Sequence, residues 1–153
     1  MTRAEKSRPA ERLRLLIADA SAASRVDFAF LISERTNIEV AGFAWSGVDT
    51  LKLIRKMKPD VVTLDLGLPE LNGFEVLAAL QKEKLNTTVI VLTGRSEAGT
   101  RQRCLALGVK HFFHKTTDFT LVIAVLKEYA GRQSGKRKER TLTQGRRAAT
   151  GAK

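Results

Sequence analysis

At 153 residues and 43% hydrophobic content, the chain has room for one domain with a real core and is too apolar to be disordered throughout. No window approaches the roughly 20 unbroken apolar residues that a bilayer span requires, so membrane insertion is not expected. The net charge of +11 is lopsided, because residues 131–153 hold eight Lys/Arg against one Glu and account for +7 of it. The polar segment from Met1 to Arg14 lacks the apolar stretch of a signal peptide, and the lone Cys104 can form no internal disulfide. These features fit a reducing cytoplasm.

In chain order, residues 13–18 form a short, mainly apolar run closed by Asp19 and read as a buried strand. A helix follows, capped by Ser21 or Ser24, with Phe28, Leu31, Ile32 and Arg35 at helical spacing. Residues 37–43 read as a second strand; Val48, Leu51, Ile54 and Met57 mark an amphipathic helix ended by Lys58-Pro59. Residues 61–64 form a third strand, and Asn72-Gly73 starts a helix over 74–80. Residues 89–92 make a fourth strand, followed by a helix over about 96–107 that Gly108 stops. Residues 109–113 make the fifth strand. The last helix carries Val122, Val125, Leu126 and Tyr129 on one face and ends at Gly131.

Five strand–helix units in strict alternation, with continuous apolar strands and amphipathic helices, predict a parallel sheet covered on both faces. The doubly wound α/β sandwich is the natural solution. A polar extension over 1–12 is expected to precede a domain over 13–130. The segment 131–153, basic and almost devoid of apolar residues, is expected to be disordered when free.

In such a fold the carboxyl ends of the strands share one edge, where ligands bind. Asp19 follows the first strand, Asp65 the third, Thr93 the fourth and Lys115, shortly after, the fifth. Two carboxylates, a hydroxyl and an ammonium therefore converge. Hard oxygen donors of this kind suit Mg2+, which takes a few carboxylates with waters and a phosphate.

The segments Ile17-Ala-Asp19-Ala20-Ser21 with Arg25, Leu64-Asp65-Leu-Gly67-Leu-Pro69-Glu-Leu-Asn-Gly73, Val91-Leu-Thr93-Gly94 and His114-Lys115 resemble, in order and spacing, the signatures of a CheY-like receiver domain. Such domains are the inputs of two-component response regulators, and the resemblance covers residues from about 13 to 130. It implies a flavodoxin-like (βα)5 sandwich with strand order 2-1-3-4-5. It implies that Asp65 is the phosphoacceptor, taking phosphate from the phosphohistidine of a histidine kinase or phosphotransfer protein. Asp19, Asp65 and the Gly67 carbonyl would hold Mg2+, Lys115 would neutralise the acyl phosphate, and Thr93 would hydrogen-bond it. Phe112 occupies the aromatic switch position, whose movement would alter the surface of helix four, strand five and helix five. A downstream protein target, or a second copy of the chain, would read that surface. No enzymatic activity is implied beyond slow self-dephosphorylation.

Two positions depart from the family pattern. Ala20 stands where a second acid usually follows Asp19, which should weaken Mg2+ binding. Thr116 stands where many receivers have a cis proline, so the bond after Lys115 is expected to be trans.

Plainer readings compete at single positions. Taken alone, Asp65 is a turn acid, Thr93 a strand terminator, Lys115 a surface lysine and Phe112 a core aromatic. His111 and His114 read as structural, Cys104 as a small core residue and Trp45 as a packing anchor. Helix five shows a wide apolar arc with Leu121 at its margin. Two other functions stand beside the phosphoacceptor: a pseudo-receiver that binds partners without phosphate, motivated by Ala20, and an adaptor that binds nucleic acid weakly through the basic tail.

Overall fold

The computed structural model of the protein describes residues 12–94 and 97–133. The elements run β1 (Arg14–Ala18), α1 (Ala22–Arg35), β2 (Glu39–Ala44), α2 (Gly47–Met57), β3 (Val61–Leu64), α3 (Gly73–Glu83), β4 (Thr88–Thr93), α4 (Thr100–Ala106) and β5 (His111–His114). A last helix, α5, occupies residues 119–133. The strands form one parallel sheet in the order β2-β1-β3-β4-β5, the expected doubly wound arrangement.

Because successive strand residues point to opposite faces, the sheet divides its side chains between two cores. Leu16 and Ala18 of β1, Val62 and Leu64 of β3 and Val91 of β4 pack with Leu51, Ile54, Phe74, Leu77, Leu80 and Cys104 from α2, α3 and α4. Leu15, Ile17, Val61, Ile90 and Leu92 pack with Phe28 and Ile32 of α1 and with Val122, Ile123 and Leu126 of α5. All four residues of β3, in the middle of the sheet, are buried.

Local sequence sets each helix start. The Ser21 side chain accepts from the Ser24 N–H to begin α1, and Ser46 accepts from the Asp49 N–H at 3.0 Å to begin α2. Asn72 and Glu75 form a reciprocal capping box at the start of α3. Close approach dictates Gly47: a Cβ there would lie 1.9 Å from the Leu71 carbonyl oxygen. The contact is reinforced by a 3.1 Å hydrogen bond from the Gly47 N–H to the Pro69 carbonyl, which ties the β2–α2 turn to the β3–α3 loop.

Some boundaries differ from expectation. Helix α4 starts at Thr100, after Gly99 in a left-handed conformation (φ 86°), and not near Ser96, which lies outside the described residues. Strand β5 is His111–His114, because Val109 is buried in the turn after Gly108 instead of in the sheet. Trp45 is not a packing anchor; it is 52% exposed at the end of β2. Helix α5 continues past Gly131 to residue 133, where Gln133 donates to Asp60 at 3.3 Å. The other oxygen of that carboxylate accepts the Arg14 N–H at 2.8 Å, so α5 is fastened to the amino-terminal edge of the sheet. The expected disordered segment beyond 133 and the extension before Arg12 lie outside the described residues. Among those described, no helix is long and apolar enough to cross a membrane.

Gly47→Ala should destabilise the domain by about 1–3 kcal/mol in urea unfolding, because backbone must move to admit the methyl group. Gly131→Ala, on α5 with open space around it, should be neutral or stabilise by up to about 1 kcal/mol in the same assay.

Candidate functional site: an acid pair bridged by a lysine

The strand order reverses its direction of growth between β1 and β3, the adjacent pair in which Ala18 aligns with Leu64. The next residues, Asp19 and Asp65, therefore emerge side by side at the switch point of the sheet. Backbone ladders hold both. The Asp65 N–H donates to the Ala18 carbonyl and the Asp19 N–H to the Ala44 carbonyl, each at 3.0 Å.

The carboxylates are oriented by their own loops. Asp19, only 7% exposed, accepts the Ser21 N–H on Oδ1 at 2.8 Å, and the Arg25 guanidinium donates to its main-chain carbonyl at 2.6 Å. Asp65 accepts on Oδ1 the Gly67 N–H at 3.0 Å and the Thr93 hydroxyl at 3.2 Å. With both Oδ1 atoms engaged, both Oδ2 atoms face one cation: the Lys115 Nζ lies 3.2 Å from Asp65 Oδ2 and forms an ion pair with Asp19 Oδ2.

Lys115 comes from the far side of the sheet. Its N–H extends the β4–β5 ladder to the Thr93 carbonyl at 2.9 Å, and Asp118 secures the following turn by accepting the His114 N–H at 2.7 Å. The bond after Lys115 is trans, as Thr116 implies. Burial disfavours the charge on Lys115, but its hydrogen bond to Asp19 and the charge of Asp65 outweigh it and hold the ammonium above the ordinary lysine range.

The donor set fits a divalent cation. Two carboxylates already present oxygens to a common positive charge, and Mg2+ is commonly held by one or two carboxylates completed by water and phosphate. The Lys115 head would have to yield part of that position. Ala20, just past Asp19, is exposed and offers no third acid.

Asp19, Asp65, Thr93 and Lys115 are thus brought together, with Gly67 joined through its N–H. Phe112 stands apart from the constellation. It is partly buried, packs against the core on the α2–α4 side, and has the Arg101 guanidinium 6.0 Å from its ring centroid. His111 lies outside the site, its Nε2 2.9 Å from the Tyr129 hydroxyl, and burial pushes its pKa down. Cys104 is buried in the core, and burial raises its pKa. The sequence signal for the grip of Arg25 on the Asp19 backbone is a basic residue six positions after the acid, one helical turn past the Ser21 cap.

Removing the ammonium leaves two adjacent carboxylates unneutralised, so Lys115→Met should lose about 1–3 kcal/mol at pH 7. One pH trend identifies the cause. Because the folded Lys115 pKa is raised, its contribution is complete below the unfolded value of about 10.4 and disappears as pH rises through the folded one. Urea unfolding of both proteins as pH rises through this range checks the trend, and a pH-independent difference would assign the loss to packing instead.

Comparison with known proteins agrees with this geometry. Residues 15–127 match the response regulator receiver domain family. The chain is 36% identical over 107 residues to a protein-glutamate methylesterase/protein-glutamine glutaminase of Clostridium acetobutylicum, covering 69% of this chain and 31% of that protein. It is 35% identical over 114 residues to a putative transcriptional regulator of Pseudomonas aeruginosa, covering 74% of this chain and 55% of the relative. The chain thus spans about a third to a half of the length of these curated relatives. Among solved structures, the response regulator domain of Thermotoga maritima CheB superposes with a TM-score of 0.68 at 30% identity, covering 81% of this chain and 97% of that one. The receiver domain of the putative response regulator NarL from Mycobacterium tuberculosis gives 0.72 at 26% identity, covering 78% and 97%. With residues 15–127 inside the family's model and the sheet order in agreement, this chain belongs to the response regulator receiver family, whose domains serve two-component systems.

Proposed function

We propose that Asp65 accepts a phosphoryl group from the phosphohistidine of a histidine kinase or phosphotransfer protein, and that the chain signals through an altered protein-interaction surface. The observation that carries this reading is the Lys115 ammonium placed on the Oδ2 atoms of both Asp19 and Asp65, with the Thr93 hydroxyl on Asp65 Oδ1. A carboxylate oxygen of Asp65 attacks phosphorus; a P–O bond forms as the P–N bond of the donor breaks, and the imidazole leaves with the electron pair. Such a transfer depends on alignment and charge stabilisation more than on covalent help.

The acyl phosphate carries roughly −2 in place of one carboxylate charge. Lys115 remains within reach to neutralise it. Thr93, already on Asp65, changes its hydrogen-bond partner to a phosphate oxygen, and the space it gives up is available to Phe112. Asp19, Asp65 and the Gly67 carbonyl would hold Mg2+, which supplies positive charge for the phosphoryl oxygens when bound. The readout surface is α4, β5 and α5, where Leu105 and Leu121 are exposed and could meet a target protein or a second copy. On this reading the domain is a phosphoacceptor rather than an enzyme, with slow self-dephosphorylation as its own chemistry.

Ala20 favours a second reading, a pseudo-receiver. The lysine already satisfies both acids, and the missing carboxylate lowers the incentive for a metal to replace it.

Uptake of beryllofluoride, or of phosphate from a small phosphodonor, over a Mg2+ titration separates the two. Wild type should show saturable uptake that Asp65→Asn abolishes, and Ala20→Asp should lower the half-saturating Mg2+ by about tenfold through the added ligand charge. Negligible uptake by both wild type and Asp65→Asn at millimolar Mg2+ would leave the pseudo-receiver.

A further inference from the structure

The amino-terminal edge of the sheet, at the other end of the strands from the acid pair, carries the opposite charge. All five strands run parallel, so helix ends and strand starts share this edge. Where α2 passes into β3 and α3 into β4 stand four exposed lysines: Lys56, Lys58, Lys82 and Lys84. The two connections are clipped together. Arg55 donates to both oxygens of Glu83, at 2.8 and 2.6 Å, and the Thr87 hydroxyl donates to the Pro59 carbonyl at 3.0 Å. The acids on these connections are already engaged. Glu83 is held by Arg55, and Asp60 accepts the Arg14 N–H and the Gln133 side chain. Among the described residues none of the four lysines forms an ion pair.

Backbone conformation gives a second, independent sign that these cations are used. Lys58 and Lys84 end their helices in the left-handed region, with φ of 48° and 54°. Glycine is the unstrained residue there, and a side chain costs stability. What lysine adds over glycine is a charge, and its attraction to the helix carboxyl end offsets only part of that strain. The position of α5 extends the field. Gln133 meets Asp60 two residues after Lys58, so the sequence beyond 133, with seven Lys/Arg against one Glu, leaves from beside these lysines.

We propose that this edge binds the phosphate backbone of duplex nucleic acid without regard to sequence, with Lys58 and Lys84 as central contacts. Cations alone suit a duplex, which presents one negative charge per about 1.7 Å of its axis. Single strands are held by aromatic side chains that stack on bases, and neither connection carries one. A bilayer surface is gripped more firmly where large apolar side chains enter it, and no exposed one lies on either connection. The surface is remote from Asp65, and its binding does not depend on the phosphoacceptor reading.

Fluorescence anisotropy of a labelled mixed-sequence duplex of about 20 base pairs reads binding by the full chain near 0.1 M salt. Wild type should bind with a Kd of about 1–100 μM, and its affinity should fall steeply as salt rises. Lys58→Gln with Lys84→Gln should weaken binding about tenfold or more and lower the log–log salt slope by about 2. Lys58→Arg with Lys84→Arg, which keeps the charge, should bind as wild type does. Arg35→Gln with Lys127→Gln removes the same charge from the α1/α5 face and should weaken binding by less than about threefold. Absence of binding by wild type overturns the proposal, as does equal loss in the two glutamine pairs, which would reduce the effect to net charge. Unchanged affinity in Lys58→Gln with Lys84→Gln overturns it too, leaving the sequence beyond 133 as the binder. So does tighter binding, at equal phosphate concentration, to a single strand of the same length or to vesicles of phosphatidylcholine and phosphatidylserine.

Discussion

Three strand ends meet on a single ammonium. Lys115, carried by the end of β5, neutralises acids carried by β1 and β3, with β4 contributing the hydroxyl between them. Two carboxylates so near each other repel, and burial of Asp19 strengthens that repulsion by lowering the local dielectric. The pair is tolerable only with a cation in reach. The sheet brings one there because β4 and β5 keep parallel register up to Thr93 and His114. The same contact that makes the ground state stable is therefore the one that the proposed phosphorylation of Asp65 would rearrange. On that proposal stability and signalling draw on one electrostatic arrangement, and a substitution at Lys115 would affect both.

Much of this was legible in the sequence because each site residue terminates an apolar run. An uninterrupted hydrophobic stretch must be buried, and the first polar residue after it is where the chain reaches the sheet edge; that logic located Asp19, Asp65 and Thr93. It worked less well where burial and strand membership part company. Val109 is buried in a turn, and hydrophobicity alone cannot distinguish that from the start of β5. Trp45 was misjudged for the reverse reason, since a large aromatic side chain carries no mark in the sequence of the face on which it will emerge. Thr63 carries no signal in the sequence because its β-branched shape suits a strand, while the lack of a partner for its buried hydroxyl, among the described residues, is set by tertiary packing.

Ala20 gains meaning from its surroundings. Had the loop after β1 been irregular, loss of an acid there would be ambiguous. Instead Asp19 is fixed by Ser21 and Arg25, so the remaining carboxylate is held in position and the change removes charge rather than order.

The fastening of Gln133 to Asp60 has a geometric consequence for the basic end of the chain. Asp60 and Asp65 bracket β3, so five residue steps of strand, roughly 16 Å, separate this anchor from Asp65. That exceeds the Debye length of about 8–10 Å in ordinary salt. The positive charge of Arg132, one residue before this anchor at the end of α5, is therefore largely screened from Asp65.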